Sequence, residues 1–441
     1  MLLRLFIFVC FGVIMLPLQK AFSQLNEKME PGHRDTILSE KQEFQQQPGL
    51  ALAASKIFFS DKRYAISGFG EFNYVPVQTN VDKGLGDLEL YYSGLYRYST
   101  FFGYKITDKL IWNSEFQLEF IHDGDREAQH EIMVEAFVDY LFRDYLKARI
   151  GFFPLTIGYV NNNDEPIMFY AVNRSEVERL IIPSTWIEFG TMLYGNISNA
   201  WNYTLGFSQG LNSKNYLSGT WIRQGREIRF DLPRAISVSP QLNYIGVKDL
   251  TLSVSGYYGD SGQGETVILN DVENRVRANI VLGSAYAKYD WNNFRLLALG
   301  TYGKLSDSDK IYELTKQDDG IGQVLGENVY GYLFEAGCDV LPYIRKRKPV
   351  SSESNWFYDP KQMKLSFFGR YERLNTHQQV NQHLRSLPRT ENNLAIWTTG
   401  LNFNSRENIV FKANYQYRKN KFEGDLHPSK NLVETGIGFI F

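Results

Sequence analysis

Apolar and polar residues alternate along most of this chain in runs of nine to twelve, each closed by turn residues. Leu110, Trp112, Ser114, Phe116, Leu118 and Phe120 fall on one face of such a run, with Asn113, Glu115, Gln117 and Glu119 on the other. Ile132, Val134, Ala136, Val138 and Tyr140 repeat the scheme against Glu131, Glu135 and Asp139. Leu146, Ala148, Ile150 and Phe152 do so against Lys147 and Arg149. A period of two is the mark of a strand with two different faces. Held over this length and repeated, it predicts membrane-crossing β-strands, apolar outside and polar inside.

The later runs keep the rule. Trp201, Tyr203, Leu205 and Phe207 oppose Asn202 and Thr204, and Leu250, Leu252, Val254 and Tyr258 oppose Thr251, Ser253 and Ser255. Leu365, Phe367, Gly369 and Tyr371 oppose Lys364, Ser366 and Arg370. Ile409, Phe411, Ala413, Tyr415 and Tyr417 oppose Lys412, Asn414, Gln416 and Arg418. The last run is Val433, Thr435, Ile437, Phe439 and Phe441, and its final phenylalanine resembles the assembly signal of bacterial outer-membrane barrels.

The connections alternate as well. Short ones fall at Thr107-Asp108, Arg143-Asp144, Ser198-Asn199, Val247-Lys248 and Asn292-Asn293. Long ones fall near 76–88, 121–130, 154–186, 209–234, 259–275, 305–328, 375–391 and 419–430. Short turns at one rim and long loops at the other predict an all-β fold, a transmembrane antiparallel β-barrel of about 16 strands over residues 63–441. A secreted propeller or large sandwich also has many short strands. It needs neither strands of this length nor the terminal phenylalanine. The connection Leu341–Lys361 is long and basic on the short-turn side, and the barrel reading gives it no role.

Composition sharpens this. Aromatics make up 15% of the chain, high for a soluble protein, while polar residues are too frequent for a helical membrane protein. A net charge of −2 excludes a strongly basic nucleic-acid binder and a polybasic surface protein. Two cysteines, Cys10 and Cys338, make no disulfide framework. Residues 1–23 read as a secretory signal: Arg4, an apolar core from Leu5 to Leu16, and Ala21-Phe22-Ser23 before the cut. Residues 24–62 read as a short periplasmic segment, polar and weakly helical over Leu50–Lys56.

The alternation stops in one place, Gly151 to Gly190. A loop this long in a short-turned chain is usually functional or disordered. Its aromatics, paired charges and three prolines argue for function. The block Gly151-Phe152-Phe153-Pro154, Asn163-Asp164-Glu165-Pro166, Phe169-Tyr170, Val172-Asn173-Arg174, Glu178 and Ile182-Pro183-Ser184-Thr185-Trp186-Ile187-Glu188-Phe189-Gly190 resembles outer-membrane porins of Bacteroidetes. These are grouped loosely with the phosphate-selective porin O and P family. The resemblance implies a 16-stranded, trimeric porin whose third loop narrows the channel. One departure is Asp164, where such proteins are expected to carry histidine. The resemblance also brings a phosphate label that sits poorly with few lumenal arginines facing many carboxylates.

Strand parity then gives candidate pore-lining residues. Glu71, Glu115, Glu119, Glu131, Glu135 and Asp139 fall on the inward face of the first four strands. Lys147, Arg149, Arg295, Lys364, Arg370, Lys412 and Arg418 fall on the fifth and later ones. In a ring of 16, acid would face base across the pore and set up a transverse field. In the third loop Asp164, Glu165, Arg174, Glu178 and Arg179 would stand at the constriction, with Arg174 and Glu178 paired. Ile167 to Tyr170 would wedge the loop against the wall.

Catalytic spacings carry little. Gly206-Phe207-Ser208-Gln209-Gly210 has the spacing of a nucleophile elbow but no helix pattern after it. Gly259-Asp260-Ser261-Gly262 sits in a Gly-rich loop without a matching histidine motif. A barrel phospholipase would need serine and histidine side by side facing lipid; Ser114 and His122 are about 26 Å apart along a strand. Asp123-Gly124-Asp125 with Glu127, and Asp307 with Asp309, read as solvated loop charge rather than calcium ligands. No enzyme, metal or cofactor is expected. The sequence points to a porin for small hydrophilic solutes or ions, with outer-membrane lipid around it. The competing reading is a plugged barrel that serves as an interaction or secretion-system component.

Overall fold

The computed structural model describes residues 45–75, 94–122, 128–227, 234–269, 271–345, 357–422 and 430–441. The signal region, Glu127 with its neighbouring aspartates, and most of the basic connection lie outside these residues, as does the side chain of Glu131. Sixteen strands close into one antiparallel barrel. In chain order these are β1 (Tyr64–Tyr74), β2 (Gly94–Lys105), β3 (Leu110–His122), β4 (Ala128–Arg143), β5 (Leu146–Pro154), β6 (Ile187–Ser198), β7 (Trp201–Ser208), β8 (Ser237–Tyr244) and β9 (Leu250–Asp260). A two-stranded hairpin, β10 (Thr266–Leu269) with β11 (Val272–Arg275), stands apart from the barrel sheet. The ring continues with β12 (Asn279–Trp291), β13 (Phe294–Leu305), β14 (Gly326–Asp339), β15 (Lys364–Val380), β16 (Leu394–Arg406), β17 (Ile409–Asn420) and β18 (Lys430–Ile440).

Closure happens where β1 meets β18, with Gly70 opposite Phe439 and Phe72 opposite Ile437. Main-chain bonds from Gly68 N–H to Phe441 O (3.1 Å) and Phe441 N–H to Gly68 O (2.8 Å) extend that seam to the last residue. A closed barrel leaves no strand edge unpaired, which is the condition for crossing hydrocarbon with strands. No helix among the described residues is long and apolar enough to cross a membrane.

Alternation decides what faces where. Outward Phe72, Phe116, Ile132, Val254, Val281, Leu401 and Val433 are exposed, although large and apolar. Aromatic pairs gather at both ends of this belt. Trp201 with Tyr244 and Phe403 with Phe411 lie toward the short-turn rim; Tyr371, Trp397 and Tyr417 lie toward the long-loop rim. Apolar bands between aromatic girdles match the two boundaries of a bilayer. The fold is therefore a transmembrane antiparallel barrel.

The inner wall carries more than strand side chains. A helix, α1 (Leu52–Phe59), precedes β1 and packs on β1, β2 and β3. Gly103 makes room for it: a Cβ there would sit 2.4 Å from Ile57 Cβ. The sequence reading gives this segment little chemistry, because its hydrophobic pattern is short and weak. In the structure wall side chains bind its main chain. Ser67 Oγ donates to Ala53 O (2.6 Å), Asn113 Nδ2 to Ala54 O (2.7 Å) and Arg149 Nη1 to Gly49 O (2.8 Å).

Candidate functional site: the lumen and its third loop

The connection between β5 and β6 folds into the barrel. Pro154 closes β5, since it offers no N–H to continue a ladder. Two short 3-10 turns follow, Val160–Asn162 and Pro166–Met168, and then a helical turn, α2 (Glu176–Leu180). Ser175 caps α2, its Oγ accepting the Glu178 N–H at 3.2 Å. Ser-x-x-Glu is the capping-box spacing. Here Glu178 turns away from the cap's main chain: its Oε1 accepts the N–H groups of Tyr159 and Val160, each at 2.7 Å. Gly158, with φ +74°, allows that approach, because a Cβ there would lie 2.9 Å from Glu178 Oε1. Burial raises the Glu178 carboxyl above its ordinary range. The anticipated pair of Arg174 with Glu178 does not form. Arg174 reaches Asp164 (3.4 Å) and the Thr185 hydroxyl (3.0 Å), because the main chain claims Glu178.

Inward glycines of the wall seat the loop. A Cβ on Gly337 would meet the Tyr170 ring at 2.3 Å, one on Gly438 would meet Pro166 at 2.4 Å, and one on Gly331 would meet Val177 at 2.7 Å. Tyr170 stacks on Phe368 at 5.5 Å. Asn402 and Lys412 donate to the carbonyls of Tyr170 and Ala171, each at 3.0 Å, and Asn414 Oδ1 accepts the Val172 N–H at 2.8 Å. On the opposite side, Gly158 N–H reaches Ser255 Oγ (3.2 Å) and Thr156 pairs with Thr204 (2.5 Å). The loop thus touches strands on both sides of the lumen.

The ionised groups are arranged in local pairs. Arg97, fully buried on β2, joins Glu71 (2.9 Å) and Asp164 (2.9 Å), approaches Glu119 at 4.0 Å, and lies over the Phe69 ring. Arg149 joins Asp139 at 3.1 Å between the rings of Phe137 and Tyr194. Arg370 joins Glu335 (2.6 Å) and Glu372 (3.6 Å), Arg295 joins Asp290 (2.7 Å), and Lys147 joins Asp144 (3.2 Å). Ion pairs also tie the loop to the wall, Arg418 to Glu176 at 3.3 Å and Arg97 to Asp164. Arg179 is bound to Glu176 within α2. Glu115 and Glu135 face each other across β3 and β4, with the Ser99 hydroxyl bonded to Glu115.

Glu71, Glu115, Glu119, Glu135, Asp139, Lys147, Arg149, Arg370, Lys412 and Arg418 are all less than a tenth exposed, Arg295 is half-buried and Lys364 is exposed at the end of β15. The simple division of acid against base needs correcting. Arg97 stands among the acids, Glu335 and Glu372 stand among the bases, and each neutralises its neighbours. Parity could have found all three: Arg97 alternates with Tyr96 and Tyr98, and Glu335 with Phe334. What parity does not give is the partner across the strands.

Loop carboxyls respond to this burial. Desolvation pushes Glu165 up to about 8, helped by neighbouring Asp164, although its Oε1 accepts the Ala53 N–H. Asp164 is raised too, burial outweighing the pull of Arg97.

The serines of both catalytic spacings are bonded to other groups. Ser208 Oγ pairs with Ser237 Oγ at 2.6 Å, and Ser261 Oγ donates to Ala278 O at 2.7 Å. Ser218 Oγ lies 3.4 Å from His377 Nε2, but that nitrogen is 3.0 Å from Val324 O. A carbonyl only accepts, so Nε2 carries the proton and cannot take one from serine. No cluster of metal-ligand side chains occurs among the described residues.

An apolar outside and an ionised inside on a closed ring of sixteen strands define a transmembrane β-barrel with a polar interior. No protein-family model matches the chain. An uncharacterised protein of Aquifex aeolicus (strain VF5) is 26% identical over 388 residues, covering 86% of this chain and 81% of that one. Among solved structures, the outer-membrane channel DcaP of Acinetobacter baumannii is similar with a TM-score of 0.52 at 11% identity, covering 86% of this chain and 97% of that one. OmpF of Salmonella typhi, in complex with daunomycin, is similar with a TM-score of 0.51 at 11% identity and the same coverage. At this identity the likeness is one of fold.

Proposed function

We propose that the protein is a bacterial outer-membrane porin, a water-filled channel for passive diffusion of small hydrophilic solutes or ions. The observation that carries this reading is a closed 16-strand ring with an apolar exterior and ionised residues on its inner face. The third loop, about 154–186, is the constriction in this reading, and Asp164, Glu165, Arg174, Glu178 and Arg179 belong to it. Residues 1–23 direct export and are removed. The block around Asp164-Glu165-Pro166 relates the chain to Bacteroidetes porins of the phosphate-selective O and P type, and with that goes a homotrimer.

A second reading, a plugged barrel serving as an interaction or secretion-system part, draws support from α1 and the bonds that seat it. Liposome swelling separates the two. Vesicles carrying the purified protein swell in isotonic arabinose under the porin reading. Swelling only after residues 45–59 are deleted supports the plugged barrel, and no swelling in either case contradicts the porin.

A further inference from the structure

One sector of the lumen differs from the rest. β7 and β8 contain no charged residue, and β9 has only Asp260 at its last position. Across this sector the registers align five neutral polar side chains at one level. Thr204 faces Gln241, Gln241 faces Ser255, Ser255 faces Ser284, and Ser284 faces Thr301. All five are at most 7% exposed. Inward positions of β3, β4, β15 and β17 include Glu115, Glu135, Asp139, Arg370, Lys412 and Arg418, so the charge-free run is a local feature of the wall.

Two of the five have a polar atom with nothing to bond. Gln241 Nε2 and Ser284 Oγ are buried without a hydrogen-bond partner, and so is Ser239 Oγ one inward position along β8. The base of the third loop meets the row at two points, Thr156 pairing with Thr204 and Gly158 N–H donating to Ser255; Thr301 donates to Gly283 O at 2.9 Å, and Gln241 Nε2 and Ser284 Oγ remain unsatisfied. Native interiors rarely leave buried polar groups unpaired, and a cluster of them marks a place where something polar belongs. Beside the row stands an aromatic pair, Tyr286 with Tyr159, edge to face at 5.4 Å.

We propose that this row is a binding track for neutral polyhydroxylated solutes, mono- and disaccharides or similar polyols, reached when the loop base lifts from it. Hydroxyls on a sugar both donate and accept, so they satisfy serine, threonine and glutamine groups in a line. Tyr286, uncovered when Tyr159 lifts away with the loop base, offers a flat apolar surface to a sugar's C–H face. A charged solute would lose its hydration at this wall and find no counter-charge.

This inference rests on the channel reading, and the experiment separates them. Full-length protein is placed in planar bilayers in potassium chloride, and maltose, sucrose or potassium gluconate is titrated in. Maltose or sucrose should interrupt the ion current at lower concentration than gluconate. Gln241→Leu should raise the half-blocking concentration about tenfold, the effect of one lost hydrogen bond to a bound ligand. Ser284→Ala removes a single Oγ and should shift it in the same direction, which covers the case that the leucine variant does not insert. Ion conductance with equal response to neutral and charged solutes, or with half-blocking concentrations unchanged in the variants, overturns the track alone. No ion conductance in the parent strikes the channel reading itself.

Discussion

Glu165 Oε1 lies 2.9 Å from the Ala53 main-chain nitrogen and accepts its hydrogen, so the third loop caps the first turn of α1. The two segments are 112 residues apart in sequence. Free N–H groups at a helix start attract a carboxylate. Burial and Asp164 oppose its ionisation and hold the group at about 8. Released into water, the same carboxyl titrates at about 4.3. The docked state therefore binds more protons between these values, and docking weakens as pH rises through that window. Protease cleavage within residues 45–62 should become faster between pH 5 and pH 9. Glu165→Gln should flatten that dependence; a parent rate independent of pH would contradict the assignment.

Removing the glycine seats should dislodge the loop. Gly337→Val puts a branched side chain where the Tyr170 ring now lies, so the ring must leave its seat. The barrel should still insert, as judged by a mobility difference between unboiled and boiled samples. Its conductance should rise, since Tyr170 and its neighbours lose their place on the wall. Unchanged conductance in a folded variant would show that the loop does not control the opening.

Arg97 holds Glu71 and Asp164 together from a fully buried position. Arg97→Ala leaves those carboxylates without their cation, a change that costs about 3–5 kcal/mol in buried pairs. The urea midpoint for loss of the unboiled gel form should fall. In protein that does insert, the reversal potential in a salt gradient should move toward cation preference. A shift toward anions would mean that these carboxyls are protonated and do not act on the ion.

Phe441 closes the seam through both main-chain bonds to Gly68, and its ring stacks on Tyr98 at 6.3 Å. Deleting it should leave protein that is protease-sensitive and identical in mobility before and after boiling. Normal assembly of the deletion would show that β1 and β18 close without it.

Much of this was legible in the sequence. Strand number, the two faces, the alternation of short and long connections and the interruption at Gly151–Gly190 all follow from a period of two and its failure. The residue pairs were less so. Alternation says that Glu178 belongs to a loop and Arg174 lies nearby, but not that Gly158 opens the way for Glu178 to bind main chain. It assigns Glu115 and Arg370 to one face of the wall without placing Glu135 or Glu335 beside them. The sequence reads residues 24–62 as a lead-in: the buried apolar side chains of α1, Ala53, Ala54 and Ile57, are few, and the main-chain groups that the wall and Glu165 bind leave no trace in the side-chain pattern.

Single-channel recording of the parent beside a variant with residues 160–180 shortened tests the central claim most directly. The account predicts stable current steps from the parent, and larger steps from the shortened form at equal insertion, with bigger solutes admitted. If both forms fold as heat-modifiable barrels and neither conducts, the protein is not a porin.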